Sequence, residues 1–169
     1  MRAHLARPLS ACILAAIAAH PTLAAAPDWD RVANVKAAAA QIGEIQVQQG
    51  ADKAFKFITD CYKTHGLAAA YSKAFEGCIA QDFMLMEALA AIYSRVDPQV
   101  LQRNGVPSVG QLQDSLRQRV SGAYATYQLP ASEGQTLKKI VETYGMPIFL
   151  KIIFPKKGGD STPQPGQKQ

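Results

Sequence analysis

Apolar positions recur at three- and four-residue intervals along most of the chain between residues 28 and 154, the period of helices laid against a core. Trp29, Val32, Val35, Ala39, Ile42 and Ile45 predict a first helix from about Asp28 to Gln48, with Gly50 as its stop. Phe55, Ile58 and Tyr62 mark one side of a second, from Ala51 to Thr64, which Gly66 is expected to close in a left-handed conformation. The third and strongest segment runs from about Leu67 to Val96, with a bend expected around Gly77. Asp97-Pro98 opens a short fourth helix, Asp as cap and Pro in the first turn, and Asn104-Gly105 closes it.

Two further starts carry the form of a capping box, Ser followed three residues later by Gln: Ser108 with Gln111, and Ser132 with Gln135. The first introduces a helix to about Tyr127 with Leu112, Leu116, Val120, Ala123 and Tyr127 inward. The second introduces one with Leu137, Ile140, Val141 and Tyr144 inward and Gly145 as its stop. MPIFLKIIFP comes next, an apolar run too short for periodicity to separate helix from strand. No other segment alternates cleanly enough to pair with it as a strand, and an unpaired strand leaves bare backbone edges. It is read as a short buried helix that closes the bundle; the competing reading is an outward docking surface. The fold class is therefore all-α, a small bundle of five to seven helices.

The two ends depart from this pattern. Arg2 and Arg7 precede an apolar run of 11 residues, Leu9 to Ala19, and His20-Pro21 and small residues come after it. That order is a secretory signal peptide over residues 1–25, too short to span a bilayer. Cys12 sits near the start of the apolar run, so it does not serve as a lipobox cysteine. The domain is then 26–155. Residues 156–169, KKGGDSTPQPGQKQ, read as a disordered polar tail. The expected location is secreted, in a periplasm, with no transmembrane segment after signal cleavage.

Removing the signal changes the chemistry. Sixteen Lys and Arg then face 13 Asp and Glu, a net charge of +3. With no Arg-rich run and no basic stripe interleaved with aromatics, nucleic-acid binding is excluded as a reading. Two cysteines remain, Cys61 and Cys78, and an even count in an exported chain points to a disulfide that staples the second and third helices into a hairpin.

Asp82 is the unexpected residue. At 100° per residue it falls near the middle of the apolar face that carries Cys78, Leu85, Met86, Leu89, Ile92, Tyr93 and Val96. A carboxylate there needs a partner, expected to be a Tyr hydroxyl, a Lys or a backbone amide. Asp82 and His65, the one histidine of the mature chain, are the candidate polar site. A metal reading uses the same stretch: Cys61 and His65 are spaced i, i+4, as are Cys78 and Asp82, and the four would suit tetrahedral zinc if no disulfide forms. Met84 and Met86 suggest a copper variant of it, though helical Met is usually core filler.

A catalytic reading has less to stand on. Glu76 and Asp82 are a carboxylate pair of the kind glycoside hydrolysis uses. Asp60-Cys61-Tyr62 resembles part of the active-site helix of secreted phospholipases A2 over those three residues, but Thr59 stands where that family's dyad needs His. No Gly-rich phosphate loop, G-x-S-x-G or H-E-x-x-H is present. The expectation is a non-enzymatic accessory or binding protein, with no cofactor and an envelope protein as its possible kind of partner. The zinc protein is the alternative, and a small secreted hydrolase comes after it.

Overall fold

The computed structural model describes residues 27–68 and 70–155. The signal-peptide and tail expectations fall on residues 1–25 and 156–169, outside the described residues. Within them the chain is all-α: α1 (Arg31–Gln49), α2 (Ala51–His65), α3 (Lys73–Tyr93), α4 (Pro98–Arg103), α5 (Val109–Thr126), α6 (Ala131–Ile140) and α7 (Met146–Ile153). Among these, no helix is long and apolar enough to cross a membrane.

α3 is the axis of the bundle. α1, α2 and α5 pack on it, and α7 lies along α1. Fourteen of its 21 residues are buried, including an unbroken run from Phe75 to Ala80 and on through Asp82, so it is covered over most of its circumference. Its core partners include Val35, Ala39 and Ile42 of α1, Ala54 and Ile58 of α2, Leu112 and Leu116 of α5, and Phe149 of α7.

The helix ends obey local side-chain chemistry. Asp30 caps α1 by accepting from the Ala33 N–H at 2.9 Å. Gly50, at φ +84°, turns the chain from α1 into α2, a conformation that strains any residue with a Cβ. Asp97 caps α4, and Ser108 with Gln111 makes both bonds of the capping box at the start of α5.

Several expectations need correction. α3 starts at Lys73, not near Leu67, because the Ser72 hydroxyl accepts from the Phe75 N–H and caps it there. It runs unbroken through Gly77 and ends at Tyr93, which leaves Ile92 exposed. Gly66 is right-handed, at φ −77°. Glycine is suited to that position by crowding: a Cβ there would lie 2.5 Å from the Tyr62 carbonyl and 3.1 Å from the Phe75 ring. Ser132 does not cap α6; Pro130 holds that place without a side-chain bond. Gly145 stops nothing. Val141–Gly145 forms a π turn that carries α6 directly into α7. Gly145 is buried in the turn, where a Cβ would sit 2.8 Å from Val35 Cγ1 and 2.9 Å from Met84 Sδ. The extra residue of the π turn shifts the helical phase, and Tyr144 points outward instead of in. The 146–155 run is helical, as expected. Phe149 is fully buried and closes the core, while Leu150 and Phe154 are exposed at its edge.

Candidate functional site

Cys61, in the last turn of α2, and Cys78, in the second turn of α3, form a disulfide with Cα atoms 5.7 Å apart. It ties the C-terminal end of α2 to the first half of α3. This fixes two neighbours relative to each other: Tyr62, next to Cys61, and Asp82, one helical turn beyond Cys78.

Asp82 is fully buried and its bonds are complete. Tyr62 donates its hydroxyl to Oδ2 at 3.1 Å. Arg119 of α5 grips the carboxylate from both ends, Nε to Oδ2 and Nη2 to Oδ1, each at 2.7 Å. Tyrosine is among the partners expected from the sequence; arginine is not. Arg119 lies one residue before Val120 on α5, at the border of that helix's apolar stripe. An arginine there, three residues beyond Leu116, was the available signal. The hydrogen bonds to Asp82 outweigh burial and hold the Arg119 guanidinium above its ordinary pKa.

Arg119 also donates Nη1 to Ser115 Oγ at 2.5 Å. A guanidinium has five N–H groups. Three are engaged, which leaves one on each terminal nitrogen. The side chain is 35% exposed, and it lines a cleft of about 1040 Å³ between α2, α3, α4 and α5. Phe55, Met86, Leu101 and Leu112 supply apolar wall, and Gln102, Ser108, Gln111 and Ser115 supply polar groups. Arg119 is the one charged residue among those lining it. α4 borders this cleft and buries Leu101 alone of its residues.

The second carboxylate of the catalytic reading, Glu76, is also fully buried. Oε1 accepts from Trp29 Nε1 at 2.8 Å and Asn34 Nδ2 at 3.3 Å. Oε2 accepts from Arg31 Nε at 2.7 Å and Tyr71 at 3.5 Å. Arg31 reaches on to Glu133 of α6 at 2.8 Å. Burial works against the Arg31 charge, but Glu76 and then Glu133 more than offset it, so its pKa is raised. Six residues on an α-helix turn Glu76 and Asp82 about 120° apart and separate them by about 9 Å along the axis. One faces α1, the other α2 and α5. The two carboxylates do not share a pocket, and all four of their oxygens are occupied by protein donors.

His65 ends α2 half-buried, and its backbone carbonyl accepts from the Tyr127 hydroxyl at 3.3 Å. The bonds of Asp82 go to Tyr62 and Arg119, so the pairing of His65 with Asp82 in one polar site is not seen. The zinc reading needs both thiolates, which the disulfide consumes, and an Asp82 that Arg119 already holds at both oxygens. Among the described residues, no three His, Cys, Asp or Glu side chains gather as metal ligands.

Between the two ion pairs lies an aromatic layer that the sequence pattern does not assemble. Tyr71 stacks near Trp29 (5.8 Å between centroids), Phe75 (6.2 Å), Tyr124 (6.4 Å) and Tyr127 (5.8 Å), and Tyr62 meets Phe75 edge-on at 5.4 Å. Burial first, and the adjacent Asp82 carboxylate next, push the Tyr62 hydroxyl far above its ordinary pKa. Burial does the same to Tyr71, with its phenolic neighbour Tyr124 as the second cause. Tyr124 is pushed up to about 12, again chiefly by burial.

These shifts make stability depend on pH. The three phenols keep their protons in the folded state at pH values where the unfolded chain, titrating near 10, has lost them. The unfolded state then binds fewer protons, so stability is intact below pH 10 and falls as pH rises through it. Each buried phenol contributes a slope of about 1.4 kcal/mol per pH unit. In an ultraviolet phenolate titration, three of the six tyrosines should resist ionisation until the protein unfolds. Six phenols titrating together near pH 10, with the helical signal intact, would contradict this.

A second cleft, about 760 Å³, lies between α3, α5 and α6. Its charged lining is of both signs, Glu87 against Arg117 and Lys138, and the last two are paired with Asp114 and Glu142. Fold and site together define a disulfide-bridged helical bundle with a cleft floored by a buried-carboxylate–arginine pair. Compared with protein-family models, curated proteins and solved structures, the chain matches none.

Proposed function

We propose that this is an exported, non-enzymatic binding protein of the cell envelope, and that the cleft in front of Arg119 is where it holds its ligand. The observation that carries the reading is the cleft itself: about 1040 Å³, with apolar walls and one charged side chain held in place from behind by Asp82. A concave apolar site with a few convergent polar groups is the usual form of a small-molecule site. Export rests on the signal-like residues 1–25 and agrees with the Cys61–Cys78 disulfide, a bond that persists in oxidising compartments. The non-enzymatic reading rests on the occupied oxygens of Glu76 and Asp82, since a general acid or base needs its proton site within reach of substrate.

Nile red, an uncharged apolar dye, tests the cleft without prejudging the charge of the ligand. Its fluorescence should rise to saturation with the wild-type protein. Ser115→Trp places an indole at the exposed lip of the Arg119 cleft and should abolish the rise. Ser121→Trp does the same at the other cleft and should leave it unchanged. Equal signals from Ser115→Trp and wild type, or no saturable signal at all, would overturn the reading.

A further inference from the structure

We infer that the ligand is an amphipathic carboxylate, its head group on Arg119 and its apolar chain running along α5 toward Ser108. This rests on the binding reading above and adds its chemistry.

The first observation is the electrostatics of the floor. Asp82 is fully buried and Arg119 is 35% exposed, so the pair is a dipole with its positive end toward the cleft. The two unengaged guanidinium N–H groups are donors with no acceptor among the bonds described. No acidic residue lines the cleft to supply one. A carboxylate accepts two such bonds from one guanidinium, and charge assistance makes them stronger than bonds to a neutral oxygen. An ammonium head group would meet the positive end and be refused.

The second observation is the length of the wall. Ser108, Gln111, Leu112, Ser115 and Arg119 all line the cleft and recur at three- and four-residue steps along one face of α5. Eleven residues of helix span about 16 Å. Phe55 of α2, Met86 of α3, Leu101 of α4 and Val106 of the loop before α5 line the rest of the cleft. The site therefore carries its one charge at the Arg119 end, with neutral polar groups along α5 and the apolar wall supplied mainly by the residues opposite. Its far end reaches the start of α5, where Ser108 and Gln111 already satisfy each other. That end offers no second charged anchor, which favours a ligand with a single ionic group over a diacid.

The test uses three chains of equal length: decanoate, decanol and decyltrimethylammonium, each below its micellar concentration at neutral pH, competing with Nile red on the full mature protein. Decanoate should compete at least about tenfold better than the other two, the lower bound for a charge-assisted hydrogen bond. The variant Asp82→Asn/Arg119→Met removes the cation without stranding a buried charge. Its helical content and cooperative melt establish that it folds, and in it the preference for decanoate should disappear. Three chains that compete equally would overturn the inference while the binding reading stands. A preference for decanoate that survives in the double variant would overturn it too, since the recognising cation would not be Arg119. So would a pentapeptide with a free C-terminal carboxylate that displaces the dye in an Arg119-dependent way where decanoate does not. Failure of Nile red itself to bind, or its indifference to Ser115→Trp, would instead remove the reading on which the inference rests.

Discussion

Arg119→Met should destabilise the protein by about 3 kcal/mol, out of proportion to the loss of a side chain that is one-third exposed. The cost lies in what is left behind. Asp82, with 1% of its side chain exposed, would keep one hydrogen bond, from Tyr62, and lose the charge that compensates it. Breaking a buried ion pair from one side costs about 3–5 kcal/mol. The lower end applies because water reaches the vacated place through the cleft. Asp82→Asn should cost much less, about 1 kcal/mol, since Arg119 can turn its freed donors to solvent through that same opening. The double variant should fall within about 1 kcal/mol of wild type, so the two sites couple strongly. Urea unfolding of the four proteins measures all of this. An Arg119→Met penalty no larger than that of Asp82→Asn would show that Asp82 is not held as described.

Reducing the Cys61–Cys78 disulfide should cost a similar amount, about 3 kcal/mol. The two cysteines are 17 residues apart, and closing a loop of that size in the unfolded chain removes about that much conformational freedom. Urea midpoints with and without reductant report it. The slope of the transition should also steepen on reduction, because the unbridged chain exposes more surface. If the midpoint is unmoved, α2 and α3 hold each other without the staple. The loss should not stop at stability. Tyr62 adjoins Cys61, so a loosened α2 end should weaken its bond to Asp82 first.

The sequence showed one half of each ion pair more readily than the other. Asp82 stood out because a carboxylate on an apolar face breaks a periodic pattern. Arg119 did not, because an arginine at the border of an amphipathic helix is commonplace and its long stem can lead toward solvent or inward. Glu76 was visible only as half of a carboxylate pair, and three of its four donors, Trp29, Arg31 and Asn34, come from α1 and the residues just before it, at a separation of more than 40 residues. Helix starts were legible where a side chain made the cap, at Asp97 and Ser108. They were misread where two chemistries competed. Alanines before Tyr71 favour helix by propensity, but the chain reverses between α2 and α3, and Ser72 offers the cap. Gly145 looked like a stop because glycine commonly is one. Its role is to let α1 and Met84 approach the π turn, a tertiary demand that no local pattern announces.

The near-uniform burial of α3 has a consequence for how the bundle finds one arrangement. A helix buried over most of its circumference carries only a weak amphipathic stripe to orient it, and turning it about its own axis exchanges many apolar contacts for others. Glu76 and Asp82 remove that freedom. Set about 120° apart and about 9 Å along the axis, they act as two keys cut at different angles and different depths. Arg31 of α1 accepts one and Arg119 of α5 the other. A rotated or slipped α3 strands both charges at once in apolar surroundings. The central helix is thus located in rotation and in translation by two of its least hydrophobic residues, together with the bridge from Cys78 to α2, and not by the apolar contacts that contribute most of the buried surface alone.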